Sequence, residues 1–319
     1  MLNDKLRRLI NDTGEELELD ESVIEKDFYV TQVIHALSAV ENEHFRLVFC
    51  GGTCLAKAHK VVSRMSEDID FKIQFKNTNT NFSKTRFLKE LKAFRSHIKE
   101  KIILPGLKTG ELVPRNEGQY LRTEIDYPSV FPASTGLKPH ILVEFTEADI
   151  RLAIDNLPIK TLIEETLTKV AIFNPISTHC VSVNETAIEK WVGLTRRVAA
   201  IERGRYSKDE SLIRHVFDLN AIKQAGRITD DFFTLAKTIV ANDAKQYKNQ
   251  HPEYSANPGA EIKHSLALLK SNPSWKEHYQ KFVEEMVYDS DLVVEYENAL
   301  QVIEHISAKV IESIHQVNN

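Results

Sequence analysis

The stretch FCGGTCLAKAHKVVSRMSEDIDF, Phe49–Phe71, decides how the first half of the chain reads. It opens on the end of an apolar run, FRLVFC, and breaks at Gly51 and Gly52. That pattern is a strand entering a turn, the glycines supplying unusual backbone angles or a close approach. CLAKAHKVV then reads as a short helix. SEDIDFKIQF has a period of two: Ile69, Phe71, Ile73 and Phe75 share one face of a strand, and Asp68, Asp70, Lys72 and Gln74 the other. Two carboxylates so close on one face repel unless a cation lies between them. Hard oxygen donors at this spacing suit Mg2+, which keeps part of its water and takes phosphate oxygens from a substrate. Two ions held this way can activate an attacking oxygen and stabilise a leaving pyrophosphate. The turn Gly51-Gly52-Thr53 offers backbone N–H groups and a hydroxyl to a triphosphate at the start of a helix. Such a site wants a third carboxylate. Glu144, mid-strand in HILVEF, is the best candidate, with Glu124 and Asp126 in RTEID as weaker alternatives. Asp-x-Asp alone is common and usually solvated. The order strand, GGT, helix, SEDID strand sets each part where the chemistry needs it.

Outward from this stretch, residues 1–40 read as helical. Asp20 or Ser22 caps the second helix, whose apolar stripe is Val30, Val33, Ile34 and Leu37. NTNTN, residues 77–81, is a polar loop. SKTRFLKELKAFRSHIKEKI is a helix with Ser83 as its cap and Phe87, Leu91, Phe94 and Ile98 as its core stripe. QYLRTEIDY and HILVEFTEA are further strands. From about residue 160 the character changes: after a last extended piece, HCVSVNE, six segments with helical spacing follow. The expectation is an α+β fold, a mixed sheet flanked by helices and then a mostly helical C-terminal domain, divided as 1–155 and 156–319.

The bulk properties narrow the class. The chain has 319 residues, 42% hydrophobic and 27% charged, with a net charge of -5. No global basic excess draws it to nucleic acid, so any such binding needs a local patch. Cys50, Cys54 and Cys180 are too few and too scattered for a disulfide framework or a closed zinc site. They read as reduced thiols, and with no signal peptide and no apolar run of about 18 residues the expected location is cytoplasmic, away from membrane.

The quoted stretch resembles the first motif of the AbiEii/AbiGii nucleotidyltransferase toxins, the MenT-like branch of the polymerase-beta-like superfamily. In that pattern a Gly-Gly-Thr or Gly-Ser turn precedes Arg-x-Ser-x-Asp-x-Asp. The matching positions are Gly51, Gly52 and Thr53, then Arg64, Ser66, Asp68 and Asp70. Lys57 matches a lysine in the helix after the turn, although an ordinary solvated lysine would read the same. EKDFYVTQVIHAL, from Glu25, is similar to the family's leading helix.

NETAIEKWVGLTRR resembles the family's second signature and assigns Lys190. Helical spacing sets Lys190, Gly193 and Arg197 on one side, and Trp191, Leu194, Val198 and Ile201 on the core side. Lys190, Arg196, Arg197, Arg203, Arg205, Lys208 and Arg214 outnumber Glu202, Asp209 and Glu210, a local cationic patch suited to triphosphate or RNA phosphates. The competing reading is a solvated face. IRHVFDL resembles a motif that is commonly Arg-Asp-x-x-Asp-Leu. His215 replaces its first acid and Asp218 keeps the second.

The resemblance implies that Asp68 and Asp70, with Glu144, hold Mg2+ or Mn2+. It implies that Gly51, Gly52, Thr53, Lys57, Arg64, Ser66, Lys190 and Arg197 bind a nucleoside triphosphate, and that Asp218 acts beside Lys190 in an active-site cleft that the helical domain completes. An acceptor hydroxyl, with the tRNA 3′ end or other RNA as acceptor, would attack the α-phosphate. The biological setting implied is a toxin–antitoxin or phage-defence pair with a cognate antitoxin. The rival readings are transfer to a small molecule or a protein hydroxyl, and a non-catalytic binding module of the same fold.

Overall fold

In the computed structural model, all residues are described except 1–3, 77–81, 133–136, 168 and 316–319. The NTNTN loop therefore lies outside the described residues. Two helices lead, α1 (Asp4–Leu17) and α2 (Glu21–Leu37), followed by β1 (Phe45–Cys50), α3 (Gly51–Lys57), β2 (Asp68–Phe75) and α4 (Lys84–Lys101). Then come β3 (Lys108–Thr109), β4 (Val113–Arg115), β5 (Tyr120–Asp126), β6 (His140–Glu147), β7 (Asp155–Ile159), α5 (Leu162–Thr166) and β8 (Ile176–Cys180). The rest is helical: α6 (Val183–Glu202), α7 (Arg214–Gln224), α8 (Asp230–Gln246), α9 (Pro252–Ala256), α10 (Pro258–Ser271), α11 (Pro273–Met286) and α12 (Tyr296–His315). The chain divides into two compact units, Met1–Lys60 with Met65–Ser182, and Val61–Arg64 with Val183–Asn319.

The first unit is built on an eight-stranded mixed sheet in the order β3-β5-β6-β2-β1-β8-β7, with β4 added to β5. β2 is central, antiparallel to β1 and parallel to β6. Its period-two pattern does what the sequence implies. Ile69, Phe71 and Ile73 join Phe45, Leu47 and Phe49 of β1 and Ile141, Val143 and Phe145 of β6 in one buried cluster. Val30, Val33, Ile34 and Leu37 of α2 and Leu91, Phe94 and Ile98 of α4 complete that cluster. Each such side chain contributes roughly 1.5–3 kcal/mol by leaving water. Both expected caps form: Asp20 accepts from Ser22 N at 2.8 Å and Ser83 Oγ from Arg86 N at 3.2 Å.

The expected division at 155/156 meets a sheet that runs on to Cys180. β8 lies parallel to β1, with Phe49 opposite Cys180, and β7 closes that edge. β7 contains Pro158, tolerable only because an edge strand has a row of N–H groups that need no partner. That proline, with half-exposed neighbours, hides the strand from a pattern reading.

In the helical unit, Trp191 of α6 is fully buried and donates from Nε1 to Ser307 Oγ of α12 at 2.9 Å. Pro252, Pro258 and Pro273 each open a helix, where a missing N–H costs nothing.

Three charges on α2 are buried in the first unit, and each ties down a different segment. Glu25 accepts from Ser129 Oγ at 2.6 Å and Val130 N at 2.9 Å. Asp27 accepts from Leu162 N at 2.7 Å and pairs with Lys57. Lys26 is fully buried and pairs with Glu67 at the threshold of β2. Burial pulls its ammonium below the usual lysine range, and Glu67 pulls the other way. Lys26→Met strands the buried Glu67 carboxylate and is expected to destabilise the protein by about 3–5 kcal/mol in urea denaturation, with K26M/E67L recovering most of the loss. A cost of K26M below about 1 kcal/mol would contradict this.

Candidate active site

The polar face of β2 lies opposite the apolar core. Asp68 and Asp70 project from it together, and the register sets Cys50 and Glu144 on either side of Asp70. Gly51 turns the chain away from β1 with φ +77°. A Cβ on this residue would overlap the Asp70 carboxylate, lying 3.0 Å from its Cγ. Gly51 is thus required twice, for its backbone angle and for the space Asp70 fills.

Asp68 already has a cation beside it. Lys138 Nζ lies 2.9 Å from Oδ1 and 3.2 Å from Oδ2. The root of that lysine is clamped: its N–H donates to Glu67 Oε2 at 2.8 Å and its carbonyl accepts from Lys26 Nζ at 2.7 Å. Lys138, Lys26 and Glu67 were not singled out in the sequence. Lys138 sits in a connection without periodicity, and a charge on a helix is ordinarily solvated. The usable signal was the run Glu25-Lys26-Asp27 beside an apolar stripe.

Several motif residues are turned inward. Thr53 is buried, and its hydroxyl donates to the Asp68 carbonyl and meets Ser66 Oγ at 2.8 Å. It fixes α3 to the start of β2. Lys57 is buried against Asp27 and so is neither a solvated lysine nor open to a triphosphate. Gly52 and Ser66 are half-buried. Glu144 faces the same way as Asp70, but its carboxylate accepts from Tyr120 OH. Burial first and this contact second push the Tyr120 hydroxyl up to about 12. Glu124 is drawn to Arg122 at 2.7 Å, and Asp126 ends β5 opposite His140. Among the described residues no three His, Cys, Asp or Glu side chains converge as a ready metal cage. Asp68 and Asp70 fit a hard cation that keeps several waters, which does not require a closed cage.

In the helical unit the motif residues form one buried ion cluster. Arg64 grips Asp218 with two parallel bonds, Nε to Oδ1 at 2.6 Å and Nη2 to Oδ2 at 2.7 Å. Lys190 Nζ lies 2.8 Å from Asp218 Oδ2. Burial alone would push the Asp218 carboxyl up, but Arg64 and Lys190 outweigh it and hold it far below the usual carboxylate range. His215 is pushed well below the usual imidazole range, by burial first and by Lys190 second. It is neutral at pH 7, so it cannot replace the acid that the motif commonly carries there.

The expected cationic patch is largely cancelled. Arg196 pairs with Asp243, Arg197 with Asp209, Arg203 with Glu261, Arg205 with Glu253 and Lys208 with Glu210. Arg214 donates to the Ser211 carbonyl at 3.2 Å. Three of those acids come from α8, α9 and α10, which a reading of residues 190–214 could not include.

Asp218→Asn removes the carboxylate that two buried cations share and is expected to cost about 3–5 kcal/mol at pH 7. A depressed folded pKa gives stability that is complete above the unfolded value, about 3.9, and drains away as pH falls towards the folded one. The gap between wild type and variant should therefore narrow as pH drops below about 4. Urea titrations at several pH values check this; a gap constant down to the lowest measurable pH would refute it.

A family model described as nucleotidyl transferase AbiEii toxin, type IV toxin–antitoxin system, matches residues 35–303. Among solved structures, the nucleotidyltransferase toxin MenT4 of Mycobacterium tuberculosis H37Rv is similar, at 18% identity and a TM-score of 0.41, covering 95% of this chain and 99% of that one. No curated protein matches the chain in sequence. The matched span takes in the glycine turn, both aspartates, Lys190 and Asp218, and the chain belongs to the AbiEii family of nucleotidyltransferase toxins of type IV toxin–antitoxin systems.

Proposed function

We propose that the protein transfers a nucleoside monophosphate from a nucleoside triphosphate to a hydroxyl of RNA, the tRNA 3′ end being the acceptor that family likeness favours, with a divalent cation at Asp68 and Asp70. The observation that carries this reading is the pair itself: two carboxylates on one strand face, one of them packed into the space left by Gly51. Asp68 and Asp70, with Glu144 as the third carboxylate, would hold Mg2+ or Mn2+. The ion supplies charge neutralisation at the α-phosphate and orientation of its oxygens.

The chain's own groups do the rest. Gly51 and Gly52 let the backbone come close to phosphate. Lys138, half-exposed beside Asp68, offers an ammonium on a pinned root. Lys190 is the proposed triphosphate cation, and Asp218 fixes its direction along with that of Arg64. Thr53, Ser66 and Lys57 support the turn from beneath, and Arg197 supplies a further cation once released from Asp209. The acceptor hydroxyl gives up its proton to solvent, its oxygen forms a bond to the α-phosphorus as the bond to the bridging oxygen breaks, and pyrophosphate departs. Such catalysis rests on positioning and preorganised charge. By the same reading the toxin has a cognate antitoxin, in a toxin–antitoxin or phage-defence pair.

Incubation with each α-labelled triphosphate, total RNA and protein is expected to place label in RNA. Asp70→Asn should lower the rate by about 100-fold or more, the scale for removing one preorganised charge contact. EDTA should abolish labelling, and Mg2+ or Mn2+ should restore it. Label in protein or a small molecule would move the acceptor to another class. Full activity of Asp70→Asn would remove the site altogether.

A further inference from the structure

α4 is the most basic element of an acidic chain. Lys84, Arg86, Lys89, Lys92, Arg95, Lys99 and Lys101 stand against Glu90 and Glu100, while the whole chain carries -5. Leu91, Phe94 and Ile98 face the core, and Lys89, Lys92 and Lys99 run exposed along the other side. Lys84 reaches Glu117 at 3.1 Å, and Arg86 lies 4.2 Å over the Phe82 ring. Among the described residues Lys89, Lys92, Arg95, Lys99 and Lys101 have no ion pair, in contrast to the cations of α6 and its neighbours. Lys99 and Lys101 in the last turn suit the helix dipole, but the rest of the arrangement gains no stability. Like charges three and four apart repel, and Lys84 and Arg86 in the first turn oppose the helix dipole.

The cations continue round the sheet edge. Arg95 lies over Gly118, where a side chain would overlap its guanidinium. Gly118 belongs to the turn between β4 and β5, just after Arg115. The register sets Arg115 opposite Tyr120 and Arg122 opposite Glu144, which is opposite Asp70, so both arginines lie on the sheet face of the acidic pair. A cavity of about 290 Å³ at this edge is lined by Arg115, Arg122, Glu111 and Thr123. Arg122 is held by Glu124.

We propose that α4 and the β4–β5 edge form a track for the phosphate backbone of an RNA, leading from the outer face of α4 to the face of Asp68 and Asp70. This rests on the reading of RNA as acceptor. At 18 residues α4 is about 27 Å long, enough to follow several successive phosphates. Each neutralised phosphate releases counterions, so binding through the track is steeply salt-dependent.

Fluorescence anisotropy of a labelled RNA hairpin with a short single-stranded 3′ end tests it. Wild type should bind with a log–log salt slope of about -5, the scale for six neutralised phosphates. K92E/K99E should bind at least about tenfold more weakly and lose about two units of slope, and R115A about one unit. K245E/K248E makes the same change of net charge on exposed lysines of the helical unit and should bind as wild type does. All five positions are exposed, and circular dichroism checks the folds. Equal weakening by both double variants, an unchanged K92E/K99E, or capture of an acidic protein with no RNA binding by wild type would overturn the track. Asp70→Asn, inactive in transfer, should still bind RNA with the full slope. Retained binding with no transfer by wild type would count against the reaction alone, and RNA labelling insensitive to the α4 changes against the track alone.

Discussion

A charged ammonium with no exposed surface has to be answered inside the protein, and at Lys26 the answer is Glu67. Isolated, either charge would cost several kcal/mol to bury; together they still need their remaining donors and acceptors filled. The backbone of Lys138 fills them, giving its N–H to Glu67 and its carbonyl to Lys26. One buried pair therefore fixes three things at once: the roll of α2, the entry of β2 one residue before Asp68, and the root of the lysine that meets Asp68. Glu25 and Asp27 on the same helix turn hold residues 129–131 and the start of α5. Such pairs stabilise little against an apolar replacement, so their use here is better understood as registration: each wrong pairing would strand a charge.

Much of the fold was legible. β1 announced itself as an apolar run broken by glycines, β2 by period two over an apolar core, β5 and β6 as short strand-like segments, and α2, α4 and α6 by stripes with helical spacing. Asp20 and Ser83 were readable as caps because a short polar oxygen ahead of such a stripe has one main use. β3, β4 and β7 were not legible. Two or three residues carry no period, and the third strand contains Pro158.

The candidate site was legible in part. Asp68, Asp70 and Gly51 share a face and a turn, both local properties that spacing encodes. The partners of Lys57, Thr53 and Arg64 were not, because they lie 30, 15 and 154 residues away in the chain, and only the family resemblance set Asp218 beside Lys190. The basic run from Lys190 to Arg214 misled for the same reason: its acids come largely from later helices. α4 was read only for its apolar stripe. Its charges, which find no such partners, are the part of the surface that the pattern reading passed over.

The motif that reads as chemistry is thus mostly scaffold. Of its positions, Thr53 and Lys57 tie α3 in place and Arg64 is held by Asp218, while Asp68 and Asp70 keep the half-exposed face. Two like charges side by side would splay or take up protons if their strand could move. An apolar floor beneath β2, a glycine packed against Asp70 and a clamped lysine beside Asp68 keep them facing the same way. A site that works by fixed charge cannot reorganise as the reaction proceeds, so its strength depends on what holds the carboxylates as much as on the carboxylates themselves. That is a physical reason for a short signature to spend more residues on buried ties than on contacts with a substrate.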